Sequence, residues 1–214
     1  CTSDLNAWVN LFKEYQQLLG IPVDMNEVFG KLYNNALTGD ADCGGLIAYN
    51  YISGEPVTGL AEGRPMFVRS ANDKFNLANF MRANLYASVG VLKIGNDILF
   101  NEEHVKVDRI TGHGGLFKTK GVGQRVLAAA INSPISVMET AGEGGAWGIA
   151  LLASYLVNNN NGSTLADWLE SNVFAGNTGV EIAPTAEDVA GFNKWIENYK
   201  RGLAIEQAAV DNKA

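Results

Sequence analysis

Cysteine and histidine are scarce in this sequence, with two residues of each type in a chain of 214. Cys1 and Cys43 provide no disulfide framework. His104 and His113 lie too far from them along the chain to show the ligand spacing of a metal site. The sequence therefore predicts a protein of a reducing compartment, the cytoplasm, without a bound structural metal.

Basic charge and long apolar runs are also lacking. Sixteen Lys and Arg residues oppose 23 Asp and Glu, the net charge is −7, and no basic patch is present, which argues against a nucleic-acid partner. No apolar run reaches the ~20 residues that span a bilayer. The first residues, CTSDLNAW, have neither the basic start nor the apolar core of a signal peptide. Since they also lack an initiator Met, we expect the chain to be a fragment or a processed product.

Apolar residues make up 47% of the chain, enough for one domain with a substantial core. Apolar spacings of three and four residues predict amphipathic helices. In the first of them the apolar stripe runs from Leu5 to Leu19 and includes Tyr15. The helices are predicted over 4–20, 24–37, 76–99, from about Phe117, 144–157, 164–174 and 186–210.

Short apolar runs between turn residues predict three buried strands. The first lies in GGLIAYNYISGE (44–55), and the others are 107–111 and 135–139. The segment 54–68 is rich in turn residues and is predicted to be a loop. Strands that alternate with helices indicate an α/β layered domain, and the last two strands flank a helix as a parallel unit with a right-handed crossover.

Glycines cluster where these two strands end, at 112–115 and 142–145. Ligands of such sheets bind beyond the carboxyl ends of the strands, which places both clusters at the expected ligand edge. The first cluster lies in the stretch TGHGGLFKTKGVGQ, which matches neither G-x-x-x-x-G-K-[ST] nor G-x-G-x-x-G, because Phe117 occupies the third glycine position. The turn is predicted to hold an anion against backbone N–H groups or to form a tight bend.

Several residues of this region have two interpretations. His113 can donate a hydrogen bond, although a single histidine in a turn is more often only a polar turn residue. Lys118 can meet a phosphate, although exposed lysines are usually solvated. Gly121 and Gly123 indicate a late helix start or close packing. The second glycine cluster indicates tight helix packing or a hinge rather than direct contact with a ligand. Asn161-Gly162-Ser163 is formally a glycosylation site and is predicted to be a polar turn.

Three stretches lie in the order DCGGLIAYNYISGE, VDRITGHGGLFKT with QRVLAAAINSPI, and ETAGEGGAWGIALLASYL. Together, and in this order, they resemble the FGGY family of carbohydrate kinases. DCGGLIAYNYISGE resembles the strand and loop that end in YLSGER in that family. VDRITGHGGLFKT with QRVLAAAINSPI resembles its strand, glycine turn, helix and next strand, and ETAGEGGAWGIALLASYL resembles its small-residue helix. The likeness covers roughly residues 25–157 and is greatest to xylulokinase- and ribulokinase-like members.

The resemblance implies an α/β lobe of the ribonuclease H-like type shared by actin, hexokinase and Hsp70, with a mixed or parallel sheet flanked by helices. In that family an N-terminal lobe binds the sugar and carries the catalytic Asp, and a C-terminal lobe binds ATP with Mg²⁺. We therefore expect 1–214 to be a single C-terminal nucleotide-binding domain, with 158–214 as a loop and helical tail. The catalytic residues and the Gly-Thr-Ser phosphate loop are expected outside this chain.

The resemblance also implies roles for residues of the glycine turn. Gly114 and Gly115 would meet the α-phosphate and ribose, Thr119 would lie near the adenine, and Lys118 would lie beside it. In the family the turn reads Gly-Gly-Gly-Ala, where this chain has Gly-His-Gly-Gly-Leu-Phe. Other positions with a family counterpart are Gly112 and His113 in the turn, Ser3 and Asn6 in the first helix, and Gly144 and Gly145 as the hinge between lobes.

The expected reaction is transfer of the ATP γ-phosphate to a hydroxyl of a ketopentose such as xylulose or ribulose, with the isolated chain inactive. The expected partners are the N-terminal sugar lobe, the sugar itself and a second copy in a homodimer. A non-catalytic sugar-sensing lobe is an alternative. A dinucleotide-binding module of an oxidoreductase is another, since Glu139 lies beyond the glycines near the position of a ribose-binding acid.

Overall fold

The computed structural model describes residues 2–159, 161–175 and 179–212, which form helices around two small sheets. The helices are α1 (Ser3–Leu18), α2 (Met25–Ala36), α3 (Leu77–Asp97), α4 (Val122–Ile131), α5 (Gly144–Asn158), α6 (Leu165–Leu169) and α7 (Ala186–Asp211). Turns of π-helix extend α3 over Ile98–Glu102 and α6 over Glu170–Phe174. The predicted helices are confirmed, except that α4 begins later than predicted.

The strands form two sheets. In the first, β1 (Ile47–Tyr49) pairs antiparallel with β2 (Met66–Val68). In the second, the order is β3 (Ile110–Thr111), β4 (Ile135–Val137) and β5 (Val180–Ile182). The β3–β4 pair is parallel, as predicted, and the β4–β5 pair is antiparallel.

Two strands were not predicted from the sequence. β2 lies in the segment 54–68 that was predicted to be a loop, and β5 lies in the predicted loop and tail. Each has only three residues, and Val180 of β5 is 66% exposed. Neither strand therefore has the buried apolar run that identifies a strand in a sequence. β3 is shorter than predicted, because only Ile110 and Thr111 pair with β4.

Side-chain caps explain where several helices begin. The Asp24 carboxylate accepts the N–H of Asn26 at 2.8 Å at the start of α2. The Asn76 side chain accepts the N–H of Asn79 at 2.9 Å at the start of α3. The Thr185 hydroxyl accepts the N–H of Asp188 at 3.1 Å at the start of α7. Such caps satisfy N–H groups that have no partner inside the helix. Thr2 precedes α1 without a side-chain cap bond.

The core lies around α3 and α7. α3 packs against α1, α2, α4 and β1, and α7 packs against α4 and β1. The large side chains that are fully buried include Trp195, Tyr199 and Phe192 of α7, Tyr86 of α3 and Tyr49 of β1. The helix α7 is therefore not peripheral in its packing, since it supplies much of the core.

The apolar stripe of α1 is buried over only its first half. Leu5 and Val9 are buried, whereas Tyr15 and Leu19 are 60% and 55% exposed. In the described chain this second half lines an open groove of about 1220 Å³ between α1 and α2. The predicted apolar stripe is therefore not buried along its whole length, because nothing in the described chain covers Tyr15 and Leu19.

Candidate functional site

The glycine turn leaves β3 and is tied to the chain that follows β4. The N–H of Gly112 donates to the Ser136 carbonyl at 2.8 Å, and the N–H of Gly114 donates to the Ala141 carbonyl at 2.7 Å. Ser136 belongs to β4 and Ala141 to a short 3-10 turn, Glu139–Glu143. The turn is therefore rigidly placed at the carboxyl ends of the two parallel strands.

Gly112 and Gly114 are required for different reasons. A Cβ on Gly112 would lie 2.4 Å from the Phe117 ring, so a side chain there would force the ring to move. Gly114 has φ 106° and ψ −178°, a conformation that is essentially restricted to glycine. A Cβ on Gly115 would meet no atom within 4 Å. Gly112 and Gly114 thus shape the turn, while Gly115 presents its backbone to open space.

The N–H groups available to an anion belong to a 3-10 turn, Gly115–Phe117, rather than to α4. In the described chain no hydrogen bond uses the N–H of Gly115 or Leu116, whereas the N–H of Phe117 donates to the Gly114 carbonyl at 3.0 Å. Unpaired N–H groups at a helical start are the usual backbone donors to phosphate. The geometry can therefore bind an anion through Gly115 and Leu116.

The predicted start of α4 near Phe117 is wrong. α4 begins at Val122, after Gly121 with φ 79°. A Cβ on Gly123 would lie 2.7 Å from the Leu116 carbonyl oxygen. The two glycines therefore serve a late helix start and close packing, which are the two interpretations that the sequence allowed. Val122 and Gly123 are buried, so the first turn of α4 is not exposed to a ligand.

The second glycine cluster contacts the first. A Cβ on Gly144 would lie 3.3 Å from His113 Cβ, and one on Gly142 would lie 3.1 Å from Lys118 Cγ. Side chains at 142 and 144 would thus crowd the turn. Gly145, in contrast, has no atom within 4 Å of its Cβ position in the described chain. Of the two predicted alternatives, tight helix packing or a hinge, the first therefore does not apply to Gly145.

An open cavity of about 430 Å³ lies between the turn and α5. The rings of Trp147 and Phe174 meet edge to face at its wall, with centroids 5.9 Å apart. These two aromatic residues were not identified from the sequence, although Trp147 lies only two residues beyond the second glycine cluster. The cavity is lined by His113, Gly114, Gly144, Gly145, Trp147, Gly148, Leu151, Leu152, Leu169 and Phe174.

The remaining predicted residues lie at different places. Lys118 is exposed and Thr119 is half-buried. The Thr119 carbonyl accepts the N–H of Val122 at 3.3 Å. Ser3 and Asn6 are exposed residues of α1, which packs against α2 and α3. The structure therefore brings Gly112, His113, Gly114, Gly115 and Lys118 together around the turn, and it gives Ser3 and Asn6 no hydrogen bond to them in the described chain.

A buried ion network fixes α4 behind the turn. Asp188 of α7 is 2% exposed and accepts hydrogen bonds at 2.6 Å from Arg82 of α3 and from Arg125 of α4. Burial raises the pKa of the Asp188 carboxyl, but hydrogen bonds from the arginines and a threonine outweigh it and lower the pKa to about 2. The carboxylate is therefore ionised at neutral pH and joins three helices.

The described residues were also compared with what a metal site and a membrane-spanning helix require. Among the described residues, no group of three or more His, Cys, Asp and Glu side chains is arranged to hold a metal ion. None of the described helices combines the length and the apolar character that crossing a bilayer requires.

Comparisons with known proteins identify the family of the chain. Residues 1–157 match the model of the C-terminal domain of the FGGY family of carbohydrate kinases. No curated protein sequence is significantly similar to the chain.

Solved structures resemble the chain at the level of the fold. Xylulose kinase from Rhodospirillum rubrum has 17% identity and a TM-score of 0.60, over 87% of this chain and 35% of the kinase. Gluconate kinase from Lactobacillus acidophilus has 22% identity and a TM-score of 0.61, over 83% and 34%. Glycerol kinase from Plasmodium falciparum, solved with ADP, has 17% identity and a TM-score of 0.61, over 92% and 37%.

The matched region covers about a third of the length of each of these kinases. The predicted fold, the lobe type of actin, hexokinase and Hsp70, is confirmed. The family match also favours the kinase interpretation over a dinucleotide-binding module. On the extent of that match, the chain belongs to the FGGY family of carbohydrate kinases and corresponds to its C-terminal domain.

Proposed function

We propose that the chain is the nucleotide-binding part of an ATP-dependent sugar kinase. The observation that carries this proposal is the pair of unpartnered N–H groups of Gly115 and Leu116. They lie at the carboxyl end of β3, where ligands of such sheets bind. Phosphoryl transfer depends mainly on positioning and charge stabilisation, and a rigid turn with free N–H groups supplies positioning for a phosphate.

The residues of the turn fit a nucleotide. The α-phosphate and ribose would meet Gly115, with Gly114 holding the backbone in the required conformation and Gly112 and His113 completing the turn. Lys118 and Thr119 follow on the side assigned to the adenine. Mg²⁺ usually keeps several waters and binds to phosphate oxygens and one or two carboxylates. Among the described residues no group of three or more His, Cys, Asp and Glu side chains could hold the ion, so it would bind mainly through the phosphate oxygens.

We further propose that the sugar-binding N-terminal lobe covers α5. This helix has no buried residue, and its large apolar side chains include Ile149 at 69% exposure and Leu156 at 82%. Isolated apolar side chains at a surface are normal, but an apolar helix without a single buried residue indicates an interface. Gly144 and Gly145 at its start would act as the hinge between the lobes.

The proposed acceptor is a ketopentose such as xylulose or ribulose, by the resemblance to xylulokinase- and ribulokinase-like members. The structural relatives are named as kinases of xylulose, gluconate and glycerol. The choice of a ketopentose among these acceptors therefore rests on the sequence resemblance alone. We also propose a cytoplasmic location and a homodimer. The dimer is supported by the exposed apolar side chains Leu11, Leu18 and Leu19 in the α1–α2 groove.

The experiment is a coupled assay of ADP release by the full-length protein that contains this chain. The acceptors are xylulose, ribulose, gluconate and glycerol. We expect ADP release with a ketopentose, none from the isolated chain, and none from a full-length Gly115→Trp variant. The Trp would fill the space in front of the free N–H groups without meeting a neighbouring atom at its Cβ. Activity with gluconate or glycerol alone would refute the acceptor, and full activity of the variant would refute the site.

A further inference from the structure

The loop between α5 and α6 contains a chemically distinctive pair, Asn161 and Gly162. Of all the asparagines in the sequence, Asn161 alone is followed by glycine. Both residues are exposed. They play no part in the proposed kinase site, so the question is what chemistry this pair undergoes.

The loop is held closed by its neighbours rather than by Asn161. Ser163 donates through Oγ to Asn159 Oδ1 at 2.8 Å and through its N–H to the same oxygen at 3.0 Å. The Ser163 carbonyl accepts hydrogen bonds at 2.8 Å from both Asn159 Nδ2 and the Tyr155 hydroxyl. These bonds keep the ends of the loop together whatever happens to the side chain of Asn161.

The side chain of Asn161 folds back over the peptide that follows it. Its Oδ1 accepts the N–H of Ser163 at 3.4 Å, the arrangement of an Asx turn. The side chain of Asn161 is therefore turned towards the Gly162 peptide. Gly162 has φ +69° and no atom within 4 Å of its Cβ position. In the part of the chain that the structure describes, the Gly162 N–H has no hydrogen-bond acceptor. The attacking nitrogen is therefore unshielded.

We propose that Asn161 is a site of spontaneous deamidation. The Gly162 nitrogen loses its proton and forms a bond to Asn161 Cγ. The Cγ–Nδ2 bond breaks, and ammonia leaves with a proton from water. Water then opens the cyclic imide at either carbonyl, which yields aspartate or isoaspartate at position 161. No oxidant or cofactor is consumed, since water supplies the added oxygen.

The modification adds a negative charge beside the start of α6, and the isoaspartyl product adds a methylene to the main chain. The loop joins α5 to α6, and both helical segments line the cavity beside the glycine turn. The change therefore falls on the connection between two helical segments that line this cavity.

The test is incubation of the folded chain at mildly alkaline pH, followed by proteolysis and mass spectrometry of the peptide that contains residue 161. We expect a time-dependent mass gain at Asn161, with two product peaks, and none at Asn159. A Gly162→Ala variant is expected to react about tenfold more slowly, the effect of about 1.4 kcal/mol of added barrier from crowding at the attacking nitrogen. An Asn161→Asp variant identifies the aspartyl peak.

Two outcomes overturn the proposal. One is the absence of a mass gain at Asn161 in the folded chain under conditions where a synthetic peptide of the same sequence reacts. The other is an equal rate in the Gly162→Ala variant, which would show that the Gly162 nitrogen is not the attacking group.

Discussion

Replacing Asp188 by Asn should destabilise the protein far more than removing a surface ion pair. The change keeps the shape of the side chain and removes only its charge. It leaves Arg82, which is 3% exposed, as a buried cation whose remaining acceptors are both neutral, the Gly39 carbonyl at 3.0 Å and the Tyr86 hydroxyl at 3.1 Å. Removing one partner of a buried ion pair typically costs about 3–5 kcal/mol, a large part of the ~5–15 kcal/mol by which a domain is stable.

The assay is urea unfolding followed by circular dichroism. With a typical slope of about 1–3 kcal/mol per molar urea, the Asp188→Asn variant should lose about 1 M or more of its unfolding midpoint. The matched control is Asp42→Asn. Asp42 pairs with Lys194, whose side chain is 69% exposed, and such pairs contribute about 0–1 kcal/mol. Similar losses of the unfolding midpoint in both variants would refute the reasoning. The burial of Asp188 would then not make its ion pairs more important for stability than the exposed pair of Asp42.

Three further predictions concern pH, the turn and α5. Because the pKa of Asp188 is lowered to about 2, its stabilisation is present above the unfolded pKa of about 3.9 and is lost as pH falls towards 2. The melting temperature should fall over that range, and less so in Asp188→Asn. Gly114→Ala should cost about 1–3 kcal/mol through backbone strain, whereas Gly115→Ala should cost less than about 0.5 kcal/mol; urea midpoints compare the two. Ile149→Gln with Leu156→Gln should leave the stability of this chain within about 0.5 kcal/mol and should weaken its association with a separately produced N-terminal lobe in a pull-down. Unchanged association would contradict an interface on α5.

The sequence was informative wherever the decisive contacts are local or the elements are long. The periodicity of α3 predicted a buried stripe of Leu77, Phe80, Met81, Leu85 and Val89. The last four are buried, whereas Leu77, the first residue of the helix, is 43% exposed. The parallel relation of β3 and β4 followed from the helix between them. In contrast, β5 depends on pairing with β4 over three residues, and so short an edge strand has no pattern of its own. Tyr15 and Leu19 fit the α1 stripe, but only the tertiary structure reveals that nothing described covers them.

The candidate site was predicted in position but not in detail. The glycine pattern located the turn at the ligand edge. It did not indicate that the N–H of Gly114 is already donated to the Ala141 carbonyl. That bond joins the turn after β3 to the segment after β4, and these two segments are far apart in the sequence. Nor did it indicate that a 3-10 turn precedes α4, or that Trp147 and Phe174 line a cavity nearby. Each depends on long-range packing that short-range spacing does not encode.

The most direct test of the central claim is calorimetric titration of this chain with Mg-ADP and, separately, with NAD, for the unmodified chain and for Gly115→Trp. The account predicts saturable ADP binding that the Trp variant loses while its unfolding midpoint is retained, and no binding of NAD. It would be contradicted if ADP did not bind, if it bound equally well to the variant, or if NAD bound in preference to ADP.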